Sequence, residues 1–222
     1  MYGKALLLTA LSAAAAQLPS SSPVDLAREL LIIDANLLTS YRLTLDEADV
    51  TQRSEIGEFD VPRAKEGGLD LAVMGMLIPT SHQESGDARE VAELRISEML
   101  ELIDSSSDLA LVGSVDDARA AHRNGRVGVM LAIENGAPLG SDTDSVAHFF
   151  ERGVRLITLV HSRPNQLGDS SYAQHRPWRG LSELGRRVVR EMNRQGMILD
   201  VAHIADDAFD QVVELSAAPV IA

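Results

Sequence analysis

The chain has 222 residues, 20 Lys+Arg against 33 Asp+Glu, a formal charge of −13 and no cysteine. So acidic a chain is repelled by phosphate backbones and anionic lipid, which argues against nucleic-acid partners and polybasic membrane docking. Without thiols there is no disulfide scaffold, thiol nucleophile, zinc ribbon or iron–sulfur site.

Residues 1–16 read as a secretory signal peptide: a short basic start ending at Lys4, an Ala/Leu run from Ala5 to Ala16, and small residues before Gln17. The run is too short to cross a bilayer, which takes about 20 apolar residues, so the expectation is export to a periplasm or the outside without a transmembrane anchor. Residues 17–29 read as a linker, opened by the turn-rich Leu-Pro-Ser-Ser-Ser-Pro23. From residue 30 to 222, apolar runs alternate with amphipathic stretches. Leu30–Asp34 and Leu69–Ile78 are near-continuous apolar runs, the pattern of strands covered on both faces. Asp87–Ile103 is predicted helical, with Val91, Leu94, Met99 and Leu102 inward and Arg89, Glu90, Glu93 and Arg95 in water. A helix over Val115–His122, ended by Asn124-Gly125, precedes a strand over Val127–Ile133. A helix over Ser145–Arg152 closed by Gly153, a strand over Val154–Val160, and a helix over Leu181–Gln195 ended by Gly196 follow. Met197–Val201 is a strand, Asp206–Leu215 a helix, and Pro219–Ala222 begins one more strand. Such alternation means βαβ units and a parallel sheet. No Gly-x-Gly-x-x-Gly or Gly-Lys-Ser/Thr loop is present, which disfavours dinucleotide and P-loop folds.

In parallel α/β sheets the functional groups gather at the C-terminal ends of strands. Glu134, His161 and His203 each follow such a strand. Together they make a site for a divalent ion such as zinc, which takes imidazole nitrogen and carboxylate oxygen. Singly, each has an ordinary structural role open to it, as a partner of an arginine or a cap on a carbonyl. His82 and His175 lie in loops, and His122 and His148 on helices, where a solvated face is the simpler account. The polar segment Ser162–Arg179, with Asn165, Asp169, Tyr172 and Trp178, reads either as a substrate-covering loop or as a surface excursion.

The segments Asp60–Gly68, Ile133-Glu-Asn-Gly136, Gly153–His161 with Asn165, and Gly180–His203 resemble the membrane (renal) dipeptidase family, peptidase family M19, of the metal-dependent hydrolase superfamily. The resemblance implies an α/β fold, here an incomplete TIM-like (β/α)8 barrel with about the first five βα units and the start of a sixth strand. It implies a zinc-dependent dipeptidase using metal-activated water, with Zn(2+) binuclear in the family, Glu134 bridging the ions, and His203 binding one of them. It also implies that His161 contacts substrate and polarises the scissile carbonyl, so that Glu134 and His161 are the catalytic pair. The implied partner is a dipeptide or small amide, and a homodimer is left open.

Two departures stand out. The family's first strand ends in Asp-x-His-x-Asp, whose His and second Asp bind zinc, whereas this chain reads Asp34-Ala-Asn36-Leu-Leu38. Leu38 cannot ligate and Asn36 is a weak ligand, so one ion or none is expected here. The second departure is length: such a barrel takes about 250 residues, and the family's next ligand, a substrate-binding Arg and a proton-managing Asp would follow Ala222. The expectation is a partial reading of a longer hydrolase; the alternative is a degenerate relative that binds peptides or small amides without hydrolysis.

Overall fold

The computed structural model describes residues 22–40 and 49–222. The segment read as a signal peptide, 1–16, lies outside the described residues, as does the start of the linker. The rest of that linker is helical: α1 spans Pro23–Glu29, with Ser22 as N-cap and Asp25 completing a capping box.

Six parallel strands follow: β1 (Ile33–Leu37), β2 (Leu71–Leu77), β3 (Leu109–Leu111), β4 (Val127–Glu134), β5 (Val154–Thr158) and β6 (Ile198–Asp200). The continuous path is β1-β2-β4-β5-β6, with β3 paired onto the first residues of β4. Ile221 bridges Asp200 in parallel, so the chain's last residues begin a further strand on that path. The sheet is thus a half-barrel of five barrel strands with a sixth begun, as the resemblance implied. The extra strand β3 is only three residues long and was too short to register as an apolar run. The first strand also lies later than the run Leu30–Asp34. Leu30 caps the C-terminus of α1, and Leu30 and Leu31 are exposed, so the strand starts only where pairing with Leu71 begins.

Helices α2 (Val61–Gly67), α3 (Thr80–Ser85), α4 (Ala88–Ser105), α5 (Val115–Arg123), α6 (Asp144–Glu151), α7 (Glu183–Gln195) and α8 (Asp206–Leu215) complete the fold. Period-two alternation divides the sheet. Outward residues such as Met74, Met76, Ile133, Ile157 and Leu199 join one large core with Ile96, Phe149, Val188 and Met192. Val73, Ala132 and Leu156, with Met130 and Ile198 beside them, form a smaller cluster on the inner face. In α4 the buried face is Ala88, Ala92, Arg95, Ile96, Met99 and Ile103. Leu94 is 58% exposed and Arg95 only 5%, the reverse of the expected placement. The reason is a hydrogen bond: the Arg95 guanidinium donates to the carbonyl of Leu77 at the end of β2 (2.6 Å).

Candidate metal centre

Register brings the inner-face residues at the strand ends into one row. Leu77 pairs with Glu134, Glu134 with Thr158, and Thr158 with Asp200. Glu134 is the last residue of β4 and is 5% exposed. The chain leaves it through Asn135 in a left-handed conformation (φ 84°), which asparagine tolerates better than most residues. The Asn135 amide holds the turn: it donates to the carbonyl of Ile78 (3.0 Å) and to Gln83 Oε1 (3.2 Å). Its oxygen accepts from Asn165 Nδ2 (3.0 Å), and Asn165 also donates to the carbonyl of Leu159 (2.8 Å).

His203 follows β6 and is also left-handed (φ 69°). Two sides restrain it. Asp200 Oδ1 accepts the N–H of Ala202 (2.8 Å), and the N–H and hydroxyl of Ser171 donate to the His203 carbonyl (2.8 and 3.1 Å). Asp200 Oδ2 in turn accepts the hydroxyl of buried Thr158. His161 is placed three residues beyond β5, with its carbonyl accepting the Ser170 hydroxyl (2.6 Å). The segment 162–182 is therefore strapped to both histidines. Its Asp169, fully buried, accepts the N–H groups of Trp178 and Gly180 (3.2 and 2.9 Å).

The three expected site residues converge. Glu134 Oε1 lies 3.3 Å from His203 Nε2 and 3.4 Å from His161 Nε2, and the two rings pack edge to face with centroids 4.6 Å apart. One ligand atom from each lies within 4.8 Å of the others. Burial pulls the His161 pKa below its usual value, against the opposing pull of the Glu134 carboxylate, which favours a neutral ring with a free lone pair. The Ser162 hydroxyl shares a hydrogen bond with its Nδ1 (2.7 Å), leaving Nε2 for the centre. Glu134 Oε2 is buried without a hydrogen-bond partner. A buried carboxylate with an orphaned oxygen is costly unless a cation balances it, and Glu134 with the His203 imidazole offers the oxygen and nitrogen donors a divalent transition metal takes, with His161 Nε2 beside them. The residues thus fit one ion.

Among the described residues, the positions that the resemblance gives to the other ion's ligands hold an amide and an apolar side chain. Asn36 and Leu38 lie on the same inner face, over Gly75: a Cβ there would meet Asn36 Oδ1 at 2.3 Å and Leu38 Cδ2 at 3.2 Å. Gly75 pairs with Ala132, one inward position before Glu134. Strand β1 is therefore aimed at the centre as expected, yet it offers it an amide and an isobutyl group.

A family model for membrane dipeptidases, peptidase family M19, matches residues 22–222. The chain belongs to this family. Dipeptidase tcpJ of Claviceps purpurea is 28% identical over 191 residues, covering 82% of this chain and 44% of that protein. Dipeptidase 3 of Rattus norvegicus is 29% identical over 169 residues, covering 74% and 34%. Among solved structures, the dipeptidase AC, a metallopeptidase of family M19, superposes with a TM-score of 0.78 at 26% identity, covering 87% of this chain and 62% of that one. A metallopeptidase from Rhodobacter sphaeroides bound to a phosphinate mimic of L-Ala-D-Ala shares the fold (TM-score 0.77, 24% identity, 87% and 64% coverage). The chain thus spans less than half the length of these curated relatives.

In this M19 family member three of the remaining histidines, His82, His122 and His148, have structural partners. His122 bonds Asp70 (2.6 Å), whose other oxygen accepts the N–H of Ile32, and His148 bonds Glu93. His82 bonds Asp87 (3.0 Å). These histidines, His82 lying on α3 rather than in a loop, are thus hydrogen-bond partners of carboxylates rather than free solvated groups. Among the described residues no helix is long and apolar enough to cross a membrane. Sequence reasoning missed Asn135, Asp200 and Gly75. The signals for them were present: asparagine directly after a strand-end carboxylate, an aspartate at the last inward position of β6, and a glycine between two methionines in an apolar strand.

Proposed function

We propose that the protein is an exported, periplasmic or secreted zinc-dependent hydrolase that cleaves the peptide bond of dipeptides. The observation that carries this reading is the buried Glu134 carboxylate, one oxygen unpartnered, facing two imidazoles at the end of a half-barrel. Glu134 and His203 hold the ion, and His161, kept neutral by burial, turns Nε2 toward the scissile carbonyl. When bound, the metal supplies Lewis-acid polarisation and a water of lowered pKa. The protein side of the mechanism is placement. Asn135 fixes the exit of Glu134, Asp200 and Ser171 fix the backbone of His203, and Ser162 orients the ring of His161. The matched stretches cover 44% and 34% of the two dipeptidases, so turnover is a property to be tested on the full-length protein. The test is zinc content by elemental analysis together with hydrolysis of a dipeptide panel by the full-length protein; a folded, metal-free, inactive protein would contradict it.

A second reading, retention of a peptide or small amide without hydrolysis, is favoured by Asn36 and Leu38. On that reading Asn36→His combined with Leu38→Asp creates activity and raises the zinc content from one to two per chain. Dipeptide turnover by the unaltered protein would sink it.

A further inference from the structure

We propose that the cleft beside this centre is a subsite for an uncharged aromatic side chain of the substrate, with Tyr172 as the selecting platform. The proposal rests on the dipeptidase reading and adds a specificity to it. The cleft has a volume of about 770 Å³, within the range of about 300–1,000 Å³ found for small-molecule sites. That is ample for one large side chain in addition to its backbone.

Two of its lining residues also touch the candidate centre. Ser162 hydrogen-bonds His161 Nδ1, and the Tyr172 ring lies against that of His203 with centroids 5.7 Å apart and a tilt of 38°. The cleft therefore borders the candidate centre through Ser162 and Tyr172. Tyr172 is also held firmly. Its N–H donates to the Ser170 hydroxyl (3.3 Å), the N–H of Ala173 donates to the Ser170 carbonyl (3.2 Å), and the Ser170 hydroxyl reaches the His161 carbonyl. A tyrosine anchored by its backbone to one site histidine, stacked near the other, and still 68% exposed presents most of its ring to an incoming group.

The lining selects the chemistry. Pro164 and Pro177 add apolar wall. The two charged members, Glu84 and Arg163, face each other at 3.7 Å and are both more than half exposed, so they balance at the rim and favour neither an acidic nor a basic side chain. The rest of the lining, Gln83, Ser162, Ala173, Gln174 and His175, carries no carboxylate, lysine or arginine, so the exposed Tyr172 ring is the feature that selects, and it favours a flat uncharged group because aromatic pairs gain attraction beyond the area they bury.

Calorimetric titration of the zinc-free protein with Ala-Ala, Ala-Phe and Phe-Ala tests this without turnover. The expected result is that one of the two phenylalanyl dipeptides binds roughly 2- to 12-fold more tightly than Ala-Ala, which is the ring–ring gain of about 0.5–1.5 kcal/mol expressed as a ratio. Tyr172→Ala brings the ratio to about 1 and Tyr172→Phe restores it. Equal binding of all three, no binding of any, or a ratio that survives Tyr172→Ala overturns the proposal. The two readings fail separately. Aromatic preference without hydrolysis by the zinc-loaded protein refutes the dipeptidase reading alone, and hydrolysis without preference refutes the subsite alone.

Discussion

Replacing Glu134 by glutamine should stabilise the metal-free protein and abolish its response to zinc. Glu134 is 5% exposed, its Oε1 has a long contact to His203 Nε2 (3.3 Å), and its Oε2 has no hydrogen-bond partner. At pH 8, above the range where histidines ordinarily titrate, that carboxylate is a buried charge with little compensation. Glutamine keeps the shape and removes the charge. Relief of one poorly satisfied buried group is worth about 1–3 kcal/mol, and for a chain of this size each kcal/mol moves the melting temperature by about 2–4 °C. The metal-free variant should therefore melt roughly 2–12 °C above the parent. Zinc acts in the opposite order. At a hundredfold excess over its Kd it stabilises the parent by about 2.7 kcal/mol, a rise of roughly 5–11 °C, whereas the variant, lacking the anionic ligand, gains a small fraction of that. Thermal melts by circular dichroism at pH 8, with chelator and with zinc, read both arms. A Glu134→Gln protein that melts below the parent in chelator, or that keeps the full zinc shift, refutes the reasoning.

Asp60 gives a pH-dependent prediction. It is fully buried as the N-cap of α2, and its carboxyl sits at about 2 instead of 3.8. Burial works against the charge, but the backbone N–H groups of Arg63 and Ser54 and the Arg63 guanidinium outweigh it. A depressed carboxylate stabilises the fold above its unfolded pKa, and that contribution is lost as pH falls through the folded value. Asp60→Asn should therefore cost about 2 kcal/mol at pH 7, with the gap to the parent closing between pH 4 and pH 2; urea titrations that find a pH-independent gap would contradict this. Gly185→Ala should destabilise by roughly 1–3 kcal/mol or more. Its Cβ would stand 1.9 Å from the Leu167 carbonyl oxygen, a backbone atom held by the N–H of Ser182 (2.8 Å). An alanine variant as stable as the parent in urea would show that the strap 162–182 yields more readily than its bonding suggests.

Much of the site was legible because parallel strands share one direction. A polar residue at the end of each apolar run is carried to the same rim, so Glu134, His161 and His203 could be grouped before any contact was known. The supports were harder to read. Left-handed Asn135 and His203 are conformations imposed by tertiary partners, namely Asn165 and Gln83 for one and Ser171 for the other. Helix α1 falls within the stretch that reads as a linker, because the Ser-rich lead-in masks the Ser22-x-x-Asp25 cap. The helical wheel puts Arg95 in water because it shows polarity but not the Leu77 carbonyl above the residue. The misfit of Asn36 and Leu38 was visible in the sequence, while their position over Gly75 needed the strand register.

The proposed function rests on Glu134 and His203 as the residues that hold a divalent ion, with His161 beside them for the substrate. Zinc stoichiometry and affinity of the parent, His203→Ala and His161→Ala, measured by elemental analysis and calorimetry on the folded proteins, test that assignment most directly. One zinc per chain is expected in the parent, with loss of that zinc in His203→Ala and its retention in His161→Ala. A parent that binds no zinc, or a His203→Ala protein that binds it as tightly as the parent, would contradict it.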